Sequence, residues 1–123
     1  MTGRRPLVTL TLLLALSSGA SCLWPHTKRI CVKITNYSAA AFAFEISGPG
    51  CSGPTRIQTI TVRRDSVEVW RAVGDAEARL QVVYGAAPPG FEAYAPRPLR
   101  PGDRISIAAR GPGMRGSGSA VLE

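Results

Sequence analysis

The chain has 123 residues, of which 45% are hydrophobic, and its 15 basic and 8 acidic side chains give a net charge of +7. This length accommodates one small domain with a modest core and excludes a multidomain protein. The excess charge comes almost entirely from arginine, since Lys28 and Lys33 are the only lysines. Such a charge favours anionic lipid or polysaccharide partners. By itself it does not indicate a nucleic-acid partner, and we predict none.

The first 22 residues, Met1–Cys22, have the three parts of a secretory signal. Arg4 and Arg5 form a basic head, Leu7–Leu16 is apolar, and small residues follow before the cysteine. The apolar part is about ten residues long, whereas a membrane-spanning helix needs roughly 20. We therefore predict a cleaved signal peptide over residues 1–21. Its removal takes away two arginines and lowers the net charge to +5.

Cys22 directly follows the small residues, at the position where bacterial lipoproteins are cleaved and acylated. Ser21 suits that pattern, whereas Gly19 stands where an aliphatic residue is usual. We predict a lipid on Cys22, followed by a short tether over residues 22–28. The alternative is ordinary cleavage after Ala20, which would leave Cys22 as a plain thiol.

The chain has three cysteines, an odd number that needs an explanation in an exported protein. If Cys22 is acylated, Cys31 and Cys51 are left to form a disulfide in an oxidising compartment. Closing this loop of about 20 residues would stabilise the fold by roughly 3 kcal/mol in the chain-entropy model. The alternative pair, Cys22 with Cys31, would leave Cys51 free.

Seven short segments have the alternation and composition of β-strands. In the first of them, Ile30, Val32 and Ile34 alternate with polar residues. The predicted strands are Arg29–Tyr37, Ala41–Ile46, Ile57–Val62, Ser66–Trp70, Ala78–Tyr84, Phe91–Ala95 and Arg104–Ala108. Their spacing predicts an all-β fold, a single antiparallel β-sandwich over residues 29–109 with immunoglobulin-like or transthyretin-like architecture.

Glycine and proline mark the connections between these strands. Gly74-Asp75 predicts a turn, and Leu99–Asp103 predicts a tight turn with Pro and Gly at its centre. Pro96 and Pro98 confine the strand before them to a sheet edge. The composition of residues 110–123, rich in Gly and Ser, predicts a disordered tail.

The sequence offers little catalytic chemistry. Its only histidine, His26, lies in the predicted tether, where no second residue would hold an imidazole for nucleophilic catalysis. We predict no catalytic residue, no metal site and no cofactor.

Asn36 begins an N-glycosylation sequon, which matters only in a eukaryotic or viral secretory protein. The candidate binding patch combines basic and aromatic side chains around one hairpin: Arg63, Arg64, Trp70 and Arg71.

The signal, Cys22, the strand that ends in Ile34–Tyr37 and the late segment Leu99–Ile107 together carry a resemblance. The chain resembles small bacterial exported lipoproteins that have a short tether and one β-sandwich domain. The likeness covers most of Arg29–Ala108 as a pattern. It implies a location in the cell envelope and a non-catalytic role, and it brings no catalytic residues with it.

We therefore expect an exported, lipid-anchored envelope protein that acts as a binding or structural module. Its predicted contacts are the membrane, through the lipid on Cys22, and an envelope protein or glycan. One binding route is the addition of a partner strand at the Phe91–Ala95 edge. The alternative is a secreted accessory domain that binds anionic glycan or lipid through the arginine and aromatic patch, or a small secreted factor without lipid.

Overall fold

The computed structural model describes residues 29–123. The predicted signal peptide (1–21), the predicted lipidation site Cys22 and the tether (22–28) lie outside the described residues. Between residues 29 and 123, no helix has the length and apolar character needed to cross a membrane. The strands are β1 (Cys31–Asn36), β2 (Ala43–Ser47), β3 (Thr55–Arg64), β4 (Val67–Ala78), β5 (Leu80–Val83), β6 (Phe91–Ala93), β7 (Arg104–Gly111) and β8 (Met114–Val121).

The strands form two antiparallel sheets, which confirms the predicted all-β sandwich. One sheet has the order β1-β2-β5, and the other has the order β6-β4-β3-β7-β8. Alternate side chains of both sheets point inward and build one hydrophobic core. The largest fully buried side chains include Trp70, Phe42, Phe44 and Ile46. As predicted from the two prolines, β6 lies at a sheet edge.

An irregularity in β4 turns two consecutive side chains into the core. The register shifts where Val62 pairs with Trp70 but Arg63 pairs with Glu68, so Val69 is the extra residue of a β-bulge. Val69 and Trp70 are both fully buried. The residues on either side of this pair, Glu68 and Arg71, therefore lie together on the outer face.

The predicted turn at Gly74-Asp75 is wrong, because both residues lie inside β4. A second register shift occurs here, between the pairings of Ile57 and Thr59. A Cβ atom on Gly74 would collide with the backbone of Gly90 and Phe91. The glycine thus permits close approach of a neighbouring segment instead of reversing the chain.

The predicted disordered tail over residues 110–123 is also wrong. β7 continues to Gly111, and β8 pairs with it from Met114 to Val121. Leu122 is buried, and the Glu123 N–H donates to the Tyr37 carbonyl at 2.8 Å. A composition rich in glycine and serine is typical of disorder, but in β8 these residues occupy the alternating positions of a strand.

The glycines of β8 face β1. A Cβ atom on Gly116 would collide with the carbonyl oxygen of Ile30, and one on Gly118 would lie 3.0 Å from Cγ1 of Val32. The absent side chains let the Ile30 N–H donate to the Arg115 carbonyl at 3.1 Å. This contact joins the edges of the two sheets on one side of the sandwich.

The predicted disulfide is confirmed. Cys31 in β1 bonds to Cys51 in a 3-10 turn over Pro49–Cys51, with 5.1 Å between the two Cα atoms. The alternative pairing of Cys31 with Cys22 is therefore wrong.

The predicted turn before β7 is also confirmed: the Asp103 N–H donates to the Arg100 carbonyl at 3.1 Å, and Gly102 has a φ of 91°.

We predict that Gly116→Ala destabilises the protein by about 1–3 kcal/mol, because the added methyl group would force β1 away from β8. Ser117→Ala is the matched control, since Ser117 is the next residue in β8 and points to solvent. It should change the stability by less than about 0.5 kcal/mol. Urea unfolding with the disulfide intact measures both. Equal stability of the two variants would contradict the packing described for β1 and β8.

Candidate functional site

The outer face of the five-stranded sheet carries arginines on four adjacent strands. In β7, Ile105 and Ile107 point into the core, whereas Arg104 and Arg110 point outward. β8 alternates in the same way, with Gly116 and Gly118 turned toward β1 and Arg115 pointing outward. We call the set of outward-facing arginines the arginine face; its members are Arg63 on β3, Arg71 on β4, Arg104 and Arg110 on β7, and Arg115 on β8.

The arginine face is a broad, hydroxyl-rich surface. Neighbouring strands lie about 4.8 Å apart and rise about 3.3 Å per residue, so the arginines span an area of roughly 14 by 20 Å. Between them lie three exposed serines of β7 and β8, of which Ser106 and Ser119 are cross-strand partners and Ser117 pairs with Ala108. Arginine supplies donors in a planar fork, and serine supplies both donors and acceptors. This combination suits an extended partner with many anionic oxygens.

Only one arginine of this face has an ion-pair partner within the described chain. Arg71 lies 3.1 Å from Glu68, whose carboxylate also accepts a hydrogen bond from the Tyr94 hydroxyl. The other ion pairs among residues 29–123 are elsewhere and join Arg56 to Asp75, Arg64 to Asp103 and Arg79 to Glu45. Four positive charges of the arginine face thus remain available to an anion.

Two of these charges are direct neighbours. Arg110 and Arg115 are cross-strand partners in the β7–β8 ladder, and both are exposed. Arg29 pairs with Arg115 through an isolated parallel bridge and is exposed as well. Like charges that face each other across a ladder destabilise the sheet. A bound anion would relieve that repulsion.

The predicted patch of Arg63, Arg64, Trp70 and Arg71 is not one surface. Arg63 and Arg71 lie on the outer face, and Arg71 does so because of the bulge at Val69. Arg64 instead donates to the Pro98 carbonyl at 3.0 Å and to the Asp103 carboxylate at 3.4 Å. Trp70 is fully buried, so its place in a binding patch is wrong. The bulge at Val69 explains the error, because regular alternation would put Val69 and Trp70 on opposite faces.

Arg104, Arg110 and Arg115 were missed as site residues. The alternation of Ile105 and Ile107 with polar residues carried the signal for β7. Arg115 was hidden because its segment has the composition of a disordered tail. Its pairing with Arg110 across the β7–β8 ladder, a long-range feature, places it on this face.

A depression around Arg64 lies at the end of this sheet that is opposite to Arg110 and Arg115. It is lined by both signs of charge, since Asp65 and Asp103 accompany Arg97 and Arg100. Arg64 is already paired with Asp103. These internal carboxylates make the depression a poorer anion site than the β7–β8 side of the arginine face.

Tyr84 holds the segment that borders this depression. Its hydroxyl donates to the Arg97 carbonyl oxygen at 2.7 Å, and the Val69 carbonyl oxygen lies 3.1 Å from the same hydroxyl. Its ring packs edge-on against Trp70, with ring centroids 5.5 Å apart. Burial raises the pKa of Tyr84 to about 12. The tyrosine is therefore structural, and it stays protonated at ordinary pH.

On the outer face of the three-stranded sheet, one carboxylate, Glu45, lies next to two basic side chains, because it faces Lys33 across the β1–β2 ladder and forms an ion pair with Arg79. Glu45 accepts hydrogen bonds from Arg79 and Gln81, and the bond from Arg79 holds the pKa of Glu45 below its usual value. At the end of β1, Asn36 is exposed, and its side-chain oxygen accepts a hydrogen bond from the Ser38 N–H at 3.0 Å. The basic side chains of this face thus share a carboxylate, whereas Arg104, Arg110 and Arg115 on the other sheet have no ion-pair partner among residues 29–123.

The described part of the chain contains no group of three His, Cys, Asp or Glu side chains able to hold a metal ion. Comparison with protein-family models, with curated proteins and with solved structures finds no match.

We predict that the stability of the protein falls as the pH rises from about 10 to about 12. The pKa of Tyr84 is near 12 in the folded chain and about 10 in an unfolded one, so the unfolded state loses its proton first. Tyr84→Phe should cost about 1 kcal/mol at neutral pH and remove this part of the pH dependence.

Urea unfolding across this pH range measures the effect. Tyr37→Phe is the control, because Tyr37 is 44% exposed, and this variant should keep the fall in stability. An identical pH dependence for Tyr84→Phe and the unmodified protein would contradict the structural role of Tyr84.

Proposed function

We propose that this protein is an exported, lipid-anchored β-sandwich that binds an anionic partner in the cell envelope through the arginine face. The observation that carries the proposal is the set of four exposed or half-buried arginines on one sheet face without a carboxylate partner among residues 29–123. Export and the lipid rest on the sequence pattern of Met1–Cys22.

Binding would work by charge complementarity over a pre-formed surface. The backbone of β3, β7 and β8 is fixed by continuous ladders, so the arginines start from ordered positions. Each exposed ion pair contributes only about 0.2–1 kcal/mol, and useful affinity therefore needs several contacts at once. Such binding is weakened by salt, because exposed charges are screened over about 8 Å at physiological ionic strength.

The location of the protein depends on whether Cys22 is acylated. With a lipid on Cys22, the sandwich stays at a membrane face of the envelope. With cleavage after Ala20 instead, the same domain would be a secreted or periplasmic binding module. The arginine face is identical in both cases, and no catalytic step is part of either proposal.

A second candidate is the addition of a partner strand to β6, which is the terminal strand of its sheet. The observed strand is Phe91–Ala93, shorter than the predicted Phe91–Ala95. Three residues supply only a short ladder for a peptide. Main-chain pairing of this kind is insensitive to salt, which distinguishes it from binding through the arginine face.

We predict that the purified chain binds dextran sulfate but not neutral dextran, and that salt weakens the binding. Replacing Arg63, Arg104, Arg110 and Arg115 by Gln should lower the affinity by about 100-fold, since four exposed ion pairs are lost. The measurement is equilibrium binding to the two polymers at low and physiological salt.

The matched control removes the same number of charges elsewhere on the surface. Lys33, Arg79, Arg97 and Arg100 are exposed and lie off the arginine face. Replacing these four by Gln should change the affinity by less than about threefold, because long-range effects of net charge are screened. An equal loss in both variants, or binding that ignores salt, would contradict the proposed function.

A further inference from the structure

Three arginines meet where the described chain begins. Arg29 is bridged to Arg115, and Arg115 is the cross-strand partner of Arg110. The Ile30 N–H donates to the Arg115 carbonyl at 3.1 Å, which fixes the start of the domain beside β8. We call Arg29, Arg110 and Arg115 the tether-end cluster. All three are exposed.

The tether-end cluster surrounds an open depression of about 790 Å³ that has no acidic residue in its lining. Ile30, Met114 and the glycines of the β7–β8 turn form the rest of the wall. None of the three arginines forms an ion pair within residues 29–123. The depression at the opposite end contains Asp65 and Asp103. The two ends of the sheet therefore differ in charge, and only the tether end is purely basic.

The chain length between the cluster and the predicted anchor is short. Cys22 and Arg29 are seven residues apart. Even a fully extended segment of that length reaches at most about 25 Å. A lipid on Cys22 would thus hold the cluster close to the membrane surface. Arg104 is six residues from Arg110 along β7, so it lies roughly 20 Å from the cluster.

From these observations we propose that the tether-end cluster docks the sandwich onto anionic phospholipid headgroups of the membrane that holds the lipid on Cys22. This inference rests on the proposed function and names its partner. Basic side chains next to a lipid anchor act as a second membrane signal, since each is attracted to the negative surface potential of the bilayer. A free anionic polymer would use the whole arginine face and would not depend on its tether end.

Docking of this kind fixes the orientation of the domain. The β7–β8 turn faces the membrane, and the far end of the sheet, with Arg63 and Arg104, faces away from it. Those two arginines and the β6 edge then remain accessible to a second envelope component. The bound domain lies on the membrane surface and does not insert into the bilayer, because the cluster presents guanidinium groups to the headgroups.

The test uses the chain with Cys22→Ser, so that membrane binding cannot come from an acyl group. Its partition onto phosphatidylcholine vesicles is measured by flotation, with and without phosphatidylglycerol. We expect binding only to the anionic vesicles. Replacing Arg29, Arg110 and Arg115 by Gln should lower the partition coefficient by on the order of 100-fold.

The matched control replaces Lys33, Arg97 and Arg100 by Gln, which removes three exposed positive charges that lie off the arginine face. It should lower the partition by no more than about threefold. Urea unfolding confirms that both variants remain folded. Equal losses in the two variants would overturn the role of the tether-end cluster.

The remaining outcomes separate this inference from the proposed function. Binding to dextran sulfate without binding to anionic vesicles would overturn the inference and leave the proposed function standing. Binding to neither would end both. If inorganic phosphate competes at the same phosphate concentration as the lipid, the cluster is a small-anion site and the membrane assignment is wrong.

Discussion

The close contact between β1 and β8 decides how the rest of this sandwich is arranged. Gly116 has no side chain, and the Ile30 backbone occupies the space where a Cβ atom would lie. The hydrogen bond from the Ile30 N–H to the Arg115 carbonyl then joins an edge of the three-stranded sheet to an edge of the five-stranded one. Because β1 also carries the disulfide to Cys51, the beginning of the domain is fixed at two places. The point where the chain enters the domain is therefore set beside Arg115.

The same contact creates an electrostatic conflict that the described chain does not resolve internally. Arg110 and Arg115 face each other across a ladder, and Arg29 is brought next to them. The acidic residues of this sheet, such as Glu68 and Glu92, lie on the β4 and β6 side, where Glu68 neutralises Arg71. An acidic residue near Arg115 would reduce this repulsion and stabilise the folded state. The unpaired charge is instead readily explained by an anionic partner.

The strand alternation of the sequence was enough to predict the sandwich. The two prolines after β6 predicted its edge position, and the cysteine count predicted the Cys31–Cys51 disulfide. It failed where backbone irregularity or close approach decides the outcome. The bulge at Val69 sends Trp70 inward, and no local signal marks it. β8 was missed because its glycines are selected by contact with β1, a long-range feature, and a Gly/Ser segment without such a contact would be disordered. Two of the four residues of the predicted binding patch, Arg63 and Arg71, lie on the arginine face, whereas the β7 and β8 arginines could be assigned only from the ladder register.

The most direct test of the account is to map the anion contact on the folded protein. Backbone amide chemical shifts would be followed by NMR while a short sulfated oligosaccharide is added. The account predicts shifts at Arg110, Arg115 and Ser117 on the outer face of the five-stranded sheet, and none at Glu45 or Gln81 on the three-stranded sheet. Shifts confined to Glu45 and Gln81, or spread evenly over both sheets, would contradict the assignment of the arginine face as the binding surface.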